Sequence, residues 1–505
     1  MSSETLMPPG ARNQTEVFAV HGADPEVLAY AMAKYSRSAL SMRESLAEIS
    51  RQRAEQFLNT FYFQYGHRSI ADLAHVAMAI ERLSLLAAIV LVDEQRWDGQ
   101  ERSTRYQNFL KSGWYFPDFG VDSGAAQLYS DTITSLFDAY QRTTAAVLEA
   151  LRRRVPCPEA MKPEAYERTL KARAFDVARY LLPLATNTSL GQITNARTLE
   201  TQVSRLLSHP AAEVRDLGAK LREAAIGPAW NVNAQAAEVR SAPTLVKYAQ
   251  PNDYEIQSRA ELAQAAAELL TGLHIEGTPV VDLVEYTESL EVELAATLLY
   301  SASHHPYRQI RDLVAGLSAT RVTEIVELGL RHRGKHDEAL RTFHAGAALR
   351  FDILMDIGGF RDMHRHRRCT QIIQPFTALH GYETPASGDL GPEVYILAEA
   401  GVLTEFQSGV DQAHAASAQI AASEAPEAAQ SALYLLPLAT RIRSLFKMDF
   451  AEAQYIIELR SGPAGHFSYR RVAWEMFLAL KRQHPGLTRQ IRVTDFTQPI
   501  DLLQR

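Results

Sequence analysis

A chain of 505 residues with 46% hydrophobic and 22% charged side chains has ordinary globular composition and is long enough for two or three domains. Its net charge of -7 makes it a poor general nucleic-acid binder, and no apolar run approaches the roughly 18 residues of a membrane span. The polar opening MSSETLMPPGARNQTE lacks the layout of a signal peptide, and only Cys157 and Cys369 are present, too few for a disulfide framework or a Cys-rich zinc site. A soluble cytoplasmic protein, bound to neither membrane nor nucleic acid, is expected.

Residues 17–38, VFAVHGADPEVLAYAMAKYSRS, combine an apolar β-type start, a turn at Asp24-Pro25 and a helical pattern. Within YGHRSIADLAH (65–75), Gly66 closes one helix, His67 precedes the next, and Ser69 is placed to cap it, leaving free N–H groups for an anion. Leu73, Ala77, Ile80 and Leu83 follow helix spacing and predict a helix over 68–92. In ERSTRYQNF (101–109), Glu101, Ser103 and Arg105 alternate, so an extended segment would aim an acceptor, a hydroxyl and a guanidinium at one ligand. Arg offers a fork of donors suited to phosphate or carboxylate. By itself the same spacing also describes a solvated polar edge. Further on, Arg179 precedes YLLPLAT, and Asn195 and Arg197 adjoin an amphipathic helical pattern at 194–207.

YLLPLAT occurs twice, at 180–186 and 434–440, which separates Pro183 from Pro437 by 254 positions (437 − 183). Residues 280–303 repeat the order of 17–38 and match Tyr300 to Tyr35, 265 positions apart (300 − 35). Two matches in the same order at similar offsets predict a duplicated unit of about 250 residues. We divide the chain into a first repeat at 1–240, a proline-bearing linker at 241–257 and a second repeat at 258–505. Helical patterns recur at 410–435 and 468–482, while strand signals are few and short. The expected class is α+β, helix-rich, in two tandem copies.

The second copy carries HRHRRC (364–369), five basic or potentially basic side chains in a row within an acidic chain. Like charges side by side repel, so an anion is expected among them, and a small ligand fits better than nucleic acid. His-Glu-x-x-His spacing is absent and interleaved arginines repel cations, so no metal is expected. Cys369 reads as a small packed residue and Ser103 as a hydrogen-bonding group, neither as a nucleophile. GHFSYRR (465–471) reads as a Gly-rich turn opening a helix, without a Walker pattern.

Taken together these residues resemble the flavin-dependent thymidylate synthases. The first half has Gly66-His67, Glu101-x-Ser103-x-Arg105-Tyr106, Leu182-Pro183-Leu184 and Asn195-x-Arg197-x-Leu199, in family order over most of 17–225. It departs at the front of the central motif, where Asp93-Glu94-Gln95 replaces Arg-His-Arg, Asp98 replaces Ser and Gln100 replaces Asn. The second half keeps that triplet as Arg365-His366-Arg367, with Arg460 at the place of a later nucleotide-associated arginine. It lacks the Glu-x-Ser-x-Arg loop, and Asp449 and Ala451 stand for the Asn-x-Arg pair. The losses are complementary.

The resemblance implies one composite site shared by the two repeats. It assigns Arg460 and Ser103 to the catalytic centre, and Glu101, Ser103, Thr104, Arg105, Arg179, Arg365 and Arg460 to the nucleotide. His67, Ser69, Asn195, Arg197, His366 and Arg367 fall to FAD. It further implies methylation of dUMP to dTMP, with methylenetetrahydrofolate and NADPH as co-substrates. The family works as a homotetramer with sites shared between subunits, which a homodimer of a duplicated chain would imitate. The replaced residues at Asp93–Asp98 keep two alternatives open: a flavoenzyme acting on another nucleotide or nucleoside, and a non-catalytic nucleotide-binding homologue.

Overall fold

The computed structural model describes residues 24–34, 68–231, 236–246, 249–285, 289–334, 337, 340–343, 349–385 and 396–503. The apolar start at 17–23, Tyr35 and His67 lie outside them. Among the described residues, no helix is long and apolar enough to cross a membrane. Two units form, one from residues up to 76, 195–197 and 225–247, the other from 77–194, 198–224 and 248–505.

In the first unit, buried Glu26 on the helix Pro25–Lys34 accepts hydrogen bonds from the Thr244 and Leu245 N–H groups, both at 2.9 Å. The strands Pro228–Asn231 and Ala236–Arg240 pair as an antiparallel hairpin.

The larger unit contains two sheets of the same design. In the first copy the strand order is His75–Ser84, Asn187–Asn195, Asp98–Glu101. In the second it is Leu349–Asp356, Arg441–Met448, Thr370–Ile373, with the short strand Val281–Leu283 added outside Leu349–Asp356. In each copy the first strand runs directly into a short helix, Leu85–Leu91 or Ile357–Met363. Ser84 Oγ caps the first through the Ala87 N–H and donates to Glu213. Asp356 caps the second through the Gly359 N–H and accepts from Ser468. The same hydroxyl–carboxylate pair recurs with its roles exchanged. Gly359 has no room for a side chain, since an added Cβ would lie 2.4 Å from Ser468 Oγ.

The helix expected over 68–92 is not formed. Arg68–Leu73 is a 3-10 turn, His75–Ser84 is a strand and only Leu85–Leu91 is helical. Val76 and Ile80 are buried while His75, Ala77 and Glu81 are exposed, which is a period of two. A positive φ of 60° at Arg82 then breaks the alternation and lets Leu83 turn inward as well. That kink mimicked helix spacing. The strands are also longer than the sparse sequence signals suggested. The helical patterns at 410–435 and 468–482 correspond to the helices Leu403–Ala421, Ala428–Leu433 and Phe467–Gln483.

The two YLLPLAT segments meet each other. Pro183 and Pro437 form an antiparallel bridge. Leu184 N–H donates to Leu436 O and Leu438 N–H to Leu182 O, both at 2.9 Å. Ala185 N–H donates to Tyr434 O at 2.8 Å and Ala439 N–H to Tyr180 O at 3.1 Å. Every bond has its counterpart with the copies exchanged, the signature of a local two-fold axis through the prolines. Proline has no N–H to contribute, so the axis falls where no donor is needed. Beyond it, Leu86 N–H reaches Leu184 O, and Gly358 N–H reaches Leu438 O. Both short helices are thereby tied to the axis.

The second copy buries an ionic layer between its sheet and the helices Leu290–Tyr300 and Tyr307–Ala315. Lys447 Nζ meets Glu293 and Thr297 at 2.7 Å each, while Asp352 holds Arg443, the Tyr300 hydroxyl and the Tyr307 N–H. Such groups tolerate burial because each charge finds an opposite charge and hydrogen bonds.

Leu184 and Leu438 are fully buried and occupy equivalent places beside the axis. Leu184→Ala and Leu438→Ala are each expected to cost about 2–5 kcal/mol, by similar amounts, read as shifts of the urea midpoint. Separate transitions, with only one copy lost in each variant, would contradict the reciprocal pairing.

Candidate functional site

The loop after the strand Asp98–Glu101 and the end of the helix Pro163–Ala178 bring the first copy's arginines to the second copy. Arg105 is buried and forms a two-pronged ion pair with Asp176, Nε to Oδ1 at 2.7 Å and Nη2 to Oδ2 at 3.1 Å. Its Nη1 donates to the Tyr469 hydroxyl at 2.8 Å and its Nη2 to Ala464 O at 3.2 Å. Burial works against its charge, but Asp176 outweighs it and raises the guanidinium pKa. The alternation expected for 101–105 does not survive: the chain turns at Thr104, so Glu101, Ser103 and Arg105 face different partners. Glu101 pairs with Arg361, and Ser103 Oγ accepts the Arg105 N–H at 3.2 Å, bracing its own turn.

Arg179 lies immediately before the YLLPLAT pairing, which sets it against the helix Ile357–Met363. Its Nη1 and Nη2 reach Asp362 Oδ2 at 3.2 and 3.3 Å, and Nη1 lies 3.5 Å from the hydroxyl of buried Thr104. Burial would raise the Asp362 pKa, but the fields of Arg179, Arg105, Arg365 and Arg460 overcome it and hold the carboxyl below its usual range. Arg179 of the first copy thus pairs with a carboxylate of the second, and the charges of Arg105, Arg365 and Arg460 act on the same group. Arg365 is exposed and has no hydrogen bond or ion pair among the described residues.

His366 is buried beneath this cluster. Arg460 Nε donates to His366 Nε2 at 2.7 Å. An arginine only donates, so Nε2 must be the acceptor and the neutral ring carries its proton on Nδ1. Nδ1 lies 3.6 Å from an oxygen of buried Glu452. Burial, reinforced by the charge of Arg460, pulls the His366 pKa down to about 3. Beside it, Cys369 Sγ donates to His366 O at 3.1 Å, and burial pushes that thiol up to about 12. Such a thiol is no nucleophile. Arg367 turns away, donating to Val92 O at 2.7 Å and Glu94 O at 3.2 Å with its guanidinium 4.6 Å over the Trp97 ring.

The twin place across the axis has lost this chemistry. The first copy's counterparts of Arg365, Arg367 and Arg460 are Asp93, Gln95 and Leu206, and the second copy's counterparts of Glu101 and Arg179 are Ile373 and Leu433. Asp93 pairs with Arg341, and Glu94 pairs with Arg205 at 2.8 Å. Burial would raise the Asp93 pKa, but Arg341 and His364 bring it down to about 2.

Of the residues singled out in the sequence, Glu101, Ser103, Thr104, Arg105, Arg179, Arg365, His366 and Arg460 occupy this one region. Arg367 borders it. Asn195 and Arg197 belong to the first unit, where Arg197 Nη1 meets Asp72 at 3.2 Å. Ser69 sits in the Arg68–Leu73 turn rather than at the start of a long helix. Sequence reasoning missed Asp176, Asp362, Tyr469 and Glu452. Asp362 had a signal, as a lone acid beside a basic run; the others had none, because their partners lie far away in sequence.

These features define a class: a two-copy α+β protein with a cluster of paired arginines where its copies meet. The family model described as thymidylate synthase complementing protein matches residues 18–227 and 282–486. The chain belongs to that family, the flavin-dependent thymidylate synthases, as a divergent tandem member. A UPF0159 protein of Chlamydia muridarum is 28% identical, over 94% of this chain and 91% of its own length. A UPF0159 protein of Thermoplasma acidophilum is 25% identical, over 92% and 94%. A crystal structure of the flavin-dependent thymidylate synthase of Helicobacter pylori, complexed with FAD and dUMP, is 18% identical, covers 40% of this chain and 89% of that one, and has a TM-score of 0.24.

A His366 pKa lowered from its unfolded value near 6.5 means that the unfolded state binds this proton more readily. Its contribution to stability is complete above pH 6.5 and is lost progressively as the pH falls toward 3. An NMR titration should therefore show the ring neutral, with its proton on Nδ1, throughout pH 5–8; an inflection near 6.5 would contradict the buried Arg460–His366 bond. Glu452→Leu should keep that tautomer, since Arg460 still donates to Nε2, whereas Arg460→Leu should release it.

Proposed function

We propose that the arginine cluster binds a pyrimidine nucleotide beside FAD and that the protein methylates it, with dUMP as substrate and methylenetetrahydrofolate and NADPH as co-substrates. The observation that carries this reading is the Arg179–Asp362 pair that joins the two copies, with the charges of Arg105, Arg365 and Arg460 acting on the same carboxyl. Arg365 and Arg460 have no carboxylate paired to them among the described residues, which leaves donors for a phosphate. Arg105 and Arg179 are held in place by Asp176, Tyr469 and Asp362, so their orientation is set before a ligand arrives.

The residues fit a flavin. Tyr455 and Leu459 lie one helical turn apart beside His366 and Arg460 and are 55% and 50% exposed, an apolar ledge suited to a planar ring. FAD would supply the hydride that completes the methyl group. The chain's own part is to bind, orient and balance charge. Arg365 and Arg460 hold the phosphate and base, Ser103 braces the loop that carries Arg105, and His366 fixes the Arg460 plane. Family resemblance adds His67, Ser69, Asn195, Arg197 and Arg367 as flavin contacts and a homodimer as the working assembly.

The test uses the full chain with FAD, NADPH, methylenetetrahydrofolate and dUMP. Bound flavin and dTMP formation are expected, with one nucleotide per chain by equilibrium dialysis because the twin place is dismantled. Arg365→Ala should weaken dUMP binding by about 1.5–3 kcal/mol, the worth of hydrogen bonds to a charged group. A flavin-loaded protein that binds dUMP but does not methylate it would assign the frame to another nucleotide. Failure to take up flavin would leave a non-catalytic homologue.

A further inference from the structure

Away from the arginine cluster, the second copy has an open cleft of about 400 Å³. It lies between the segment 278–280, the strands Leu349–Asp356 and Arg441–Met448, the segment 382–384 and the helix Phe467–Gln483. That helix separates the two places. Tyr469 meets Arg105, whereas Arg471, two residues on and so about 200° around the helix, lines the cleft. The volume falls in the range of roughly 300–1,000 Å³ for small-molecule sites.

One wall is apolar, made by Val280, Leu354 and the Tyr382 side chain, whose hydroxyl is engaged by Asp411. The other wall is rich in donors. Arg471 has no hydrogen bond or ion pair among the described residues. Arg441 Nε is buried and makes no hydrogen bond, although Oε1 of buried Glu383 lies 3.0 Å away. That contact balances charge but is off the line a hydrogen bond needs. Thr278 Oγ1 accepts from Arg443 Nη2 at 2.9 Å, which leaves its own O–H to donate. Arg443 itself is answered by Asp352.

We propose that this cleft is a ligand site of its own, which takes a small organic carboxylate with an aromatic or branched apolar body. The carboxylate sits between Arg471 and Arg441, with Thr278 as a further donor, and the body lies against Val280, Leu354 and Tyr382. Guanidinium forks match the two oxygens of a carboxylate. Glu383 beside Arg441, Asp411 behind Tyr382, and Asp356, which feels the charge of Glu383, place three acids around the cleft. They favour a monoanion over a phosphate dianion. The site shares no residue with the arginine cluster, so it stands independently of the nucleotide reading.

The experiment titrates benzoate and its neutral amide, benzamide, into the full-length chain at one ionic strength, followed by ligand-observed NMR. Phenyl phosphate is added as a competitor of bound benzoate. Benzoate is expected to bind at least tenfold more tightly than benzamide and to be displaced by phenyl phosphate only at tenfold higher concentration. Arg471→Met should weaken benzoate at least tenfold without moving the urea midpoint, since Arg471 has no partner to lose among the described residues. Arg365→Ala should leave benzoate binding unchanged. Absence of benzoate binding, or binding untouched by Arg471→Met, overturns the proposal. Loss of binding in Arg365→Ala overturns it too, by placing benzoate in the arginine cluster. Equal affinity for benzamide, or displacement by phenyl phosphate at a lower concentration than benzoate, overturns the assignment to a carboxylate.

Discussion

The reciprocal hydrogen bonds across Pro183 and Pro437 are the constraint on which the site depends. They fix Tyr180 against Ala439 and, through Leu438, against Gly358. Arg179, one residue before Tyr180, consequently reaches Asp362 on the helix Ile357–Met363, which carries Gly358. From there the chain leads to Arg365 and His366, so a purely backbone interaction determines which side chains of the two copies meet. A two-fold arrangement would ordinarily make two equal sites. Here the backbone keeps its symmetry while the side chains do not, with Asp93 and Leu206 at the places that answer to Arg365 and Arg460.

The acids that replaced the basic triplet in the first copy have acquired structural work. Asp93 and Glu94 would repel a phosphate, yet here they neutralise Arg341 and Arg205, while His364 lies 3.6 Å from Asp93. The carbonyls of Val92 and Glu94 receive Arg367, and Trp97 lies flat under it. The segment thus braces arginines of both copies, Arg205 of its own and Arg341 and Arg367 of its twin, the first two through carboxylates and the last through backbone carbonyls.

The duplication and the α+β class were legible in the sequence, because YLLPLAT recurs as a local string. What was not legible depended on distant contacts. The strand His75–Ser84 passed for a helix because the kink at Arg82 shifts its inward positions from a spacing of two to one of three. The alternation of Glu101, Ser103 and Arg105 suggested a common target, but a turn at Thr104 sends Arg105 to Asp176, 71 positions away. Tyr469 is farther still, at 364. No local pattern carries such partners.

The low pKa of His366 has a consequence for the whole cluster. A surface histidine would change the charge of the cluster between pH 5 and 8. Here burial and Arg460 hold the ring neutral down to about 3, so it serves as an acceptor and not as a cation. By taking the Arg460 Nε–H it orients the guanidinium plane, whose terminal nitrogens have no carboxylate partner among the described residues. The positive charge available to an anion is then set by the carboxylates alone. Among those carboxylates, buried Asp356 lies in the field of Arg179 with its carboxyl pushed up by burial to about 6, so it, and not His366, is the group through which acidity reaches the cluster.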